Sequence, residues 1–480
     1  MREGTTAIHR DIVGITSDSR QVKPGFLFAA LPGSRTDGRA YIAEALQRGA
    51  SAVLAPPGAT VGGLAATVPL ITDDNPRRLY ALMAARLHAG QPDTVVAVTG
   101  TNGKTSVASF ARQIWSTLGR RAASYGTLGV QTATGLEPGS LTTPDPVDLH
   151  ATLARLANSG IDCLAMEASS HGLEQHRLDG VRLAAAGFTN LSRDHLDYHG
   201  SMAAYLEAKL RLFRDVLPAD GVAVVNADDA HGGAVVAACR AKGQRVLAYG
   251  RAGSDIRLLQ FESDGEGQRL SIEVFARPYS VRLPLVGAFQ VANALCALGL
   301  VLAGGATADA AVAAMQSLTG APGRLQWVAR HLSGAPIYVD YAHTPDALAN
   351  VLAAVRPYVT GRLFVVFGCG GDRDAGKRPE MGRVAARLAD VVVVTDDNPR
   401  SEPPDAIRRQ ILAAAPDARD VADRAAAIRL AVGELTAGDL LVVAGKGHER
   451  GQIVGAVTLP FDDAEQVRAA VLAIAGQVSP

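Results

Sequence analysis

Aromatic residues make up only 5% of this chain, and cysteine occurs four times in 480 residues. Cys163, Cys239, Cys296 and Cys369 are far apart and form no C-x-x-C pair, which argues against a disulfide framework or a zinc knuckle. Buried thiols in a reducing compartment are the expectation. Charge of one sign is also lacking: 47 Lys and Arg balance 47 Asp and Glu. A chain with no basic excess has no face of the kind nucleic-acid binding requires. Long apolar runs are missing too. The best candidate, Val291 to Met315, is broken by Asn293, Gly304, Gly305 and Asp309. It falls short of the ~20 residues that span a bilayer. The first residues are polar, with Glu3, His9, Arg10 and Asp11, and carry no secretory apolar segment. A cytoplasmic protein with no membrane span is expected.

The chain does have a glycine loop of unusual meaning. Gly100-Thr101-Asn102-Gly103-Lys104-Thr105-Ser106 follows the apolar run Thr94 to Thr99 and precedes a helical pattern reaching Leu118. Strand, glycine turn, Lys-Thr and helix form the layout of a nucleotide phosphate site. Glycines let backbone wrap an anion, and the helix start supplies free N–H groups and partial positive charge. Lys104 would reach the terminal phosphates, and the Thr105 hydroxyl would help hold Mg²⁺. The usual first glycine is replaced by Val98, so the loop is a shortened form.

A length of 480 residues suggests about three domains. Residues 1–90 mix short strand and helix patterns and end near the linker Gly90-Gln91-Pro92. Residues 91–322 alternate strands (94–99, 163–168, 184–191, 221–226, 245–249) with helices such as 104–118 and 147–158. That rhythm implies a parallel sheet covered on both faces. After Gly320-Ala321-Pro322-Gly323, residues 323–480 repeat it, with strands Ile337–Asp340, Leu363–Phe367, Val391–Thr395 and Leu440–Ala444. The expected fold is α/β in three units: a small α/β domain, a P-loop ATPase-like parallel sheet, and a Rossmann-like doubly wound domain.

Polar clusters stand at the ends of these strands, where such sheets bind ligands. Glu167-Ala168-Ser169-Ser170-His171 ends one strand, and Glu167 beside a phosphate loop is a natural Mg²⁺ ligand. Asn190 to His199 ends the next. His195 is a candidate for a second metal, although spacing does not separate Asp194, His195, Asp197 and His199. Tyr205 to Leu210, taken alone, is an amphipathic helix with a solvated Lys209. Farther on, four strand ends carry Asp340 to Asp346, the glycine-rich Gly368 to Arg378, Asp396-Asp397-Asn398-Pro399-Arg400, and Gly445-Lys446-Gly447-His448-Glu449. Arginine forks bind carboxylate and carboxylates bind ammonium, so this rim suits an amino acid.

Together these motifs resemble the Mur ligase family, ATP-dependent amide-forming enzymes of peptidoglycan assembly. The resemblance spans the chain and rests on residues 100–105, 167–171, 190–199, Asn293, Gly323-Arg324 and 340–345. The shortened phosphate loop is the family's own form. Asp397-Asn398-Pro399-Arg400 is similar to the signature of members that add meso-diaminopimelate.

The resemblance implies roles residue by residue. Gly100, Thr101, Asn102, Gly103, Lys104, Thr105 and Ser106 hold the ATP phosphates, and Asn293, Arg324 and Asp340 make further ATP contacts. Thr105, Glu167, His195 and a carbamylated Lys209 place Mg²⁺, with Lys104, Glu167, His195 and Lys209 the catalytic set. Ser19, Ser34, Arg35 and Thr36 face uridine diphosphate, while Thr142, Thr143, Ser169, Gln175 and Arg177 contact a muramoyl-dipeptide. Arg373, Asp397, Asn398, Pro399, Arg400, Gly445 and Glu449 hold diaminopimelate. The implied small molecules are UDP-MurNAc-L-Ala-D-Glu, meso-diaminopimelate and ATP, used by a monomer. A lysine-adding relative, a folylpolyglutamate synthase-like enzyme and a nucleotide-hydrolysing amino-acid switch are the rival readings.

Overall fold

The computed structural model describes residues 12–33, 36–60, 68–139, 141–265 and 267–478. Ser34 and Arg35 therefore lie outside the described residues. Three main sheets follow one another along the chain. The first has four parallel strands, Gly14–Thr16, Phe26–Ala29, Ala52–Ala55 and Leu70–Thr72, in that order.

The central sheet has eleven strands. Its parallel heart places Thr94–Thr99 between Ala185–Phe188 and Cys163–Glu167, with Val222–Asn226 and Arg245–Gly250 beyond one and Ala122–Gly126 beyond the other. These strands are rich in Val and Ala and buried on both faces, as parallel strands under helices must be. Helices Lys104–Thr117 and Ala288–Ala303 pack one face, and Pro146–Asn158 and Met202–Arg211 cover the other. Both flanks are antiparallel. One is the meander Ile256–Ser263, Gln268–Val274 and Arg277–Leu283; the other is Gly129–Thr132 with Gly135–Glu137. The meander is not legible in the sequence. One of its turns uses Phe275 and Ala276 at φ +50° and +63°, where a glycine or asparagine would have announced it.

The third sheet runs Gln326–Arg330, Pro336–Asp340, Leu440–Ala444, Leu363–Phe367, Val391–Val394, Arg419–Asp420. All pairs but the first are parallel. An exposed hairpin, Gly451–Val454 with Val457–Pro460, leads to the last helix, which begins at Asp463. Asx and Thr caps followed by proline start several helices: Asn75-Pro76, Asp145-Pro146 and Thr344-Pro345 each accept a first-turn N–H.

Candidate active site

The phosphate loop is closed by its glycines. Gly100 and Gly103 have φ of +150° and +89°. A Cβ would lie 1.8 Å from Thr189 Oγ1 at the first and 2.3 Å from Asn293 Oδ1 at the second. The loop is thus wedged between a neighbouring strand end and the helix carrying Asn293. Asn102 N donates to Asn190 Oδ1 (2.9 Å), and Thr101 Oγ1 donates to the Ser192 carbonyl (3.2 Å). Ser106 is buried in the first helical turn. Lys104 curls back, its Nζ donating to the carbonyls of Gly100 (2.8 Å) and Thr101 (2.9 Å). Burial lowers its pKa, Glu167 opposes that effect, and Arg324 adds to it.

Glu167, 3% exposed, faces this loop. Its Oε2 accepts from Thr105 Oγ1 and Thr127 Oγ1, both at 3.1 Å, and its Oε1 accepts from Thr127 N at 2.8 Å. Gly126 leaves room for it, because a Cβ there would sit 2.2 Å from Glu167 Oε1. The Thr127 hydroxyl also pairs with Thr142 Oγ1 at 2.9 Å. Thr127 was missed in the sequence, since it follows a strand whose only motif is a Gly-Thr step.

Lys209 does not ride on a solvated helix face. It is 1% exposed, and its Nζ lies 4.2 Å from the Tyr205 ring centroid. No carboxylate among the described residues forms an ion pair with it. Burial, reinforced by Lys104, drives its pKa well below that of an ordinary lysine. Tyr205 in turn donates to Thr101 Oγ1 (3.2 Å), tying this helix to the phosphate loop. The His195 ring stands edge-on to His171 (4.9 Å) and Tyr205 (6.1 Å). His195 is half exposed beside Asp194, with φ +53°. His199 is buried instead, 2.9 Å from Ser170 Oγ. Of the candidates in 190–199, His195 is thus the open imidazole.

A wall leads from this centre toward the first sheet. Thr143 Oγ1 donates to the Glu167 carbonyl (3.2 Å) and accepts from Ser169 N (3.0 Å). Arg177 donates to the Thr143 carbonyl (2.6 Å) and to Gln175 Oε1 (2.7 Å). Gln175 and Arg177 line a cleft of about 280 Å³ whose far side carries Ser17, Arg77 and Tyr80. Tyr80 bridges it, donating to Asp145 Oδ1 at 2.9 Å. Ser19 lies apart, buried and donating to Glu44 Oε2 at 2.9 Å, and Thr36 is exposed.

Asp340 is buried, and its two oxygens accept from Leu325 N (2.6 Å) and Ala342 N (2.7 Å). Burial raises its pKa to about 6, with Arg324 pulling the other way. Arg324 stacks 4.5 Å from the Tyr341 ring centroid. Tyr341 is largely buried, which raises its pKa, and the charges of Glu449, Arg324, Asp397 and Arg400 act on it, so it lies between Arg324 and the 397–400 and 445–449 loops. In that rim Asn398 Nδ2 donates to Glu449 Oε2 (2.9 Å), and Lys446 Nζ donates to Asn398 Oδ1 (2.9 Å). Arg400 Nη1 donates to the Gly371 carbonyl (2.8 Å). Asp397 is buried but makes no hydrogen bond among the described residues, leaving its carboxylate to the rim. A Cβ at Gly445 would lie 2.7 Å from that carboxylate. Arg373 is exposed on the glycine-rich loop.

Three family models cover this chain: the Mur ligase family catalytic domain over residues 11–88, the Mur ligase middle domain over 98–301, and the Mur ligase glutamate ligase domain over 323–447. The UDP-N-acetylmuramoyl-L-alanyl-D-glutamate--2,6-diaminopimelate ligase of Mesorhizobium japonicum is 56% identical over 469 residues, covering 98% of this chain and 96% of the relative. The chain belongs to the Mur ligase family. A Rhizobium meliloti protein of the same name is 56% identical over 461 residues, covering 96% of this chain and 94% of its own. A solved structure of a UDP-N-acetylmuramoyl-L-alanyl-D-glutamate--2,6-diaminopimelate ligase superposes with a TM-score of 0.73 at 36% identity, over 97% of this chain and 95% of that one. In this Mur ligase the phosphate loop, Glu167 and Lys209 all belong to the segment matched as the middle domain, and the amino-acid rim belongs largely to the segment matched as the glutamate ligase domain.

Proposed function

We propose that the chain joins meso-diaminopimelate to UDP-MurNAc-L-Ala-D-Glu with hydrolysis of ATP. The carrying observation is the continuity of two chemistries. Lys104, the Thr105–Glu167 pair and buried Lys209 lie on one side, the Asp397–Asn398–Arg400–Glu449 rim lies on the other, and Arg324 and Tyr341 connect them. The relatives named above bear the name of this activity.

A carboxylate is a poor electrophile. Its oxygen attacks the ATP γ-phosphorus, ADP leaves, and an acyl phosphate forms. The amine nitrogen then attacks the acyl carbon, phosphate departs and a proton is released with the new amide. Lys104 leaves its loop carbonyls to meet the γ-phosphate and stabilise its developing charge. The Thr105 hydroxyl, Glu167 carboxylate and His195 imidazole suit Mg²⁺ with mostly oxygen donors, and Mg²⁺ would neutralise phosphate charge there. Burial, reinforced by Lys104 and opposed by Asp194, disfavours the ammonium form of Lys209. Reaction of its free amine with carbon dioxide, forming a carbamate and releasing a proton, would make it an oxygen donor that could hold the same ion. Gln175, Arg177, Thr142, Thr143 and Ser169 orient the muramoyl-dipeptide, and Ser19 and Thr36 serve the uridine end. Asp397 and Glu449 take the ammonium groups of the amino acid, while Arg373 and Arg400 take its carboxylates.

In this reading residues 1–90 bind the UDP-sugar, 91–322 bind ATP and 323–480 bind the amino acid. It includes a cytoplasmic monomer, and no described helix is long and apolar enough to cross a membrane. Mass spectrometry of the nucleotide product, with diaminopimelate and L-lysine competing at equal concentration, tests it. Gain of one diaminopimelate residue is expected, and gain of lysine instead would overturn the substrate assignment.

A further inference from the structure

The amino-acid rim contains two strained non-glycine residues. Asp372 and Arg400 both hold φ at +53°, a backbone region L-residues avoid unless their surroundings enforce it. Each belongs to a loop that presents an arginine: Arg373 follows the first, and Arg400 is the second. The enforcing contacts converge on one buried cation. The Arg378 side chain is 1% exposed. Its Nη1 donates to Glu402 Oε2 and Gln410 Oε1, both at 2.9 Å, and its Nη2 donates to Glu402 Oε1 (2.8 Å) and the Gly370 carbonyl (3.2 Å).

Glu402 closes the circuit by accepting from Asp372 N at 2.6 Å. Asp372 returns the contact, its carboxylate accepting from Ser401 Oγ (2.6 Å) and Ser401 N (3.1 Å). The loops also touch directly, with Gly371 N donating to the Asn398 carbonyl at 2.9 Å. Their approach leaves no room for a side chain, since a Cβ at Gly371 would lie 1.9 Å from the Pro399 carbonyl oxygen. Arg378 pulls the carboxyl of Glu402 below the usual range. The Glu402 side chain is 32% exposed, but both its oxygens are held by the buried Arg378.

We propose that Arg378 and Glu402 are positioning residues: their bidentate pair locks loops 368–376 and 396–403 together and sets the spacing of Arg373 and Arg400 for an amino acid with two carboxylates. This rests on the amino-acid reading given above. A fork is needed because one planar guanidinium holds both Glu402 oxygens and a backbone carbonyl at once, which a single ammonium does not do.

The test pairs hydrogen exchange of the substrate-free protein with steady-state kinetics on wild type, Arg378→Lys, Glu402→Gln and the double variant. Faster exchange at the amides of 371–372 and 400–401 is expected in each variant. The KM for diaminopimelate is expected to rise about tenfold, the equivalent of one lost charge-assisted hydrogen bond. The ATP KM and the kcat at saturation should stay within about threefold, and the double variant should be no worse than the poorer single one. Unchanged exchange would overturn the lock. Faster exchange with an unchanged diaminopimelate KM would overturn the positioning role. Equal rises in all Michaelis constants with a lowered melting temperature would reduce the pair to a general structural part. If the wild type fails to use diaminopimelate at all, the substrate reading fails, while exchange still decides the lock without any substrate.

Discussion

Replacing Gly126 by alanine should disable the enzyme through one methyl group. The added Cβ would lie 2.2 Å from Glu167 Oε1 and 2.5 Å from its Cγ and Cδ. Carbon contacts settle near 3.5–4.0 Å, so the carboxylate must move by about 1 Å or more. Its three hydrogen bonds, now 2.8 to 3.1 Å, would then pass the limit of useful geometry. A misplacement of about 1 Å at a catalytic centre costs roughly a hundredfold in rate. Gly126 does not have a positive φ, so backbone strain does not confuse the result. The assay is kcat for phosphate release, with thermal melting run in parallel. Gly233→Ala is the control, because its Cβ meets nothing within 4 Å, and it should retain full activity. A Gly126→Ala enzyme with kcat within about twofold of wild type would refute the role given to Glu167.

Arg400→Lys should raise the diaminopimelate KM about tenfold and leave the ATP KM nearly unchanged, because an ammonium cannot supply the fork; equal losses in both would contradict this. Asp340 has a pKa of about 6 against 3.8 for a free carboxyl. Its folded state thus binds the extra proton, and its contribution to stability falls by roughly 3 kcal/mol as pH rises from about 4 to about 6. Melting curves of Asp340→Asn and wild type should therefore diverge in the variant's favour over that window, and a constant difference would refute it. Asp463→Ala should cost about 3–5 kcal/mol in denaturant unfolding, because Arg424, fully buried with Asp463 at 2.7 Å, would keep its charge without a partner.

The parts of the site written in consecutive residues were legible in the sequence. Strand, glycine turn and Lys104 announce the phosphate loop, and four strand ends announce the rim. Lys209 was legible only through family resemblance, because its helix pattern reads as solvated. Its burial comes from Tyr205 and from a neighbouring phosphate loop about a hundred residues earlier in the chain. Thr127 and Glu402 were missed, and Tyr341 and Arg378 lie in stretches the sequence marked without their contacts, since each acts across a gap that no local spacing encodes. The antiparallel meander was missed because a turn of Phe275 and Ala276 breaks the usual turn chemistry.

A ligase of this kind couples ATP hydrolysis to two co-substrates. Phosphate release should be measured with ATP, Mg²⁺ and UDP-MurNAc-L-Ala-D-Glu, adding meso-diaminopimelate, L-lysine or no amino acid. Sustained release only with diaminopimelate is expected. Equal release in all three would contradict the ligase account and leave an uncoupled nucleotidase.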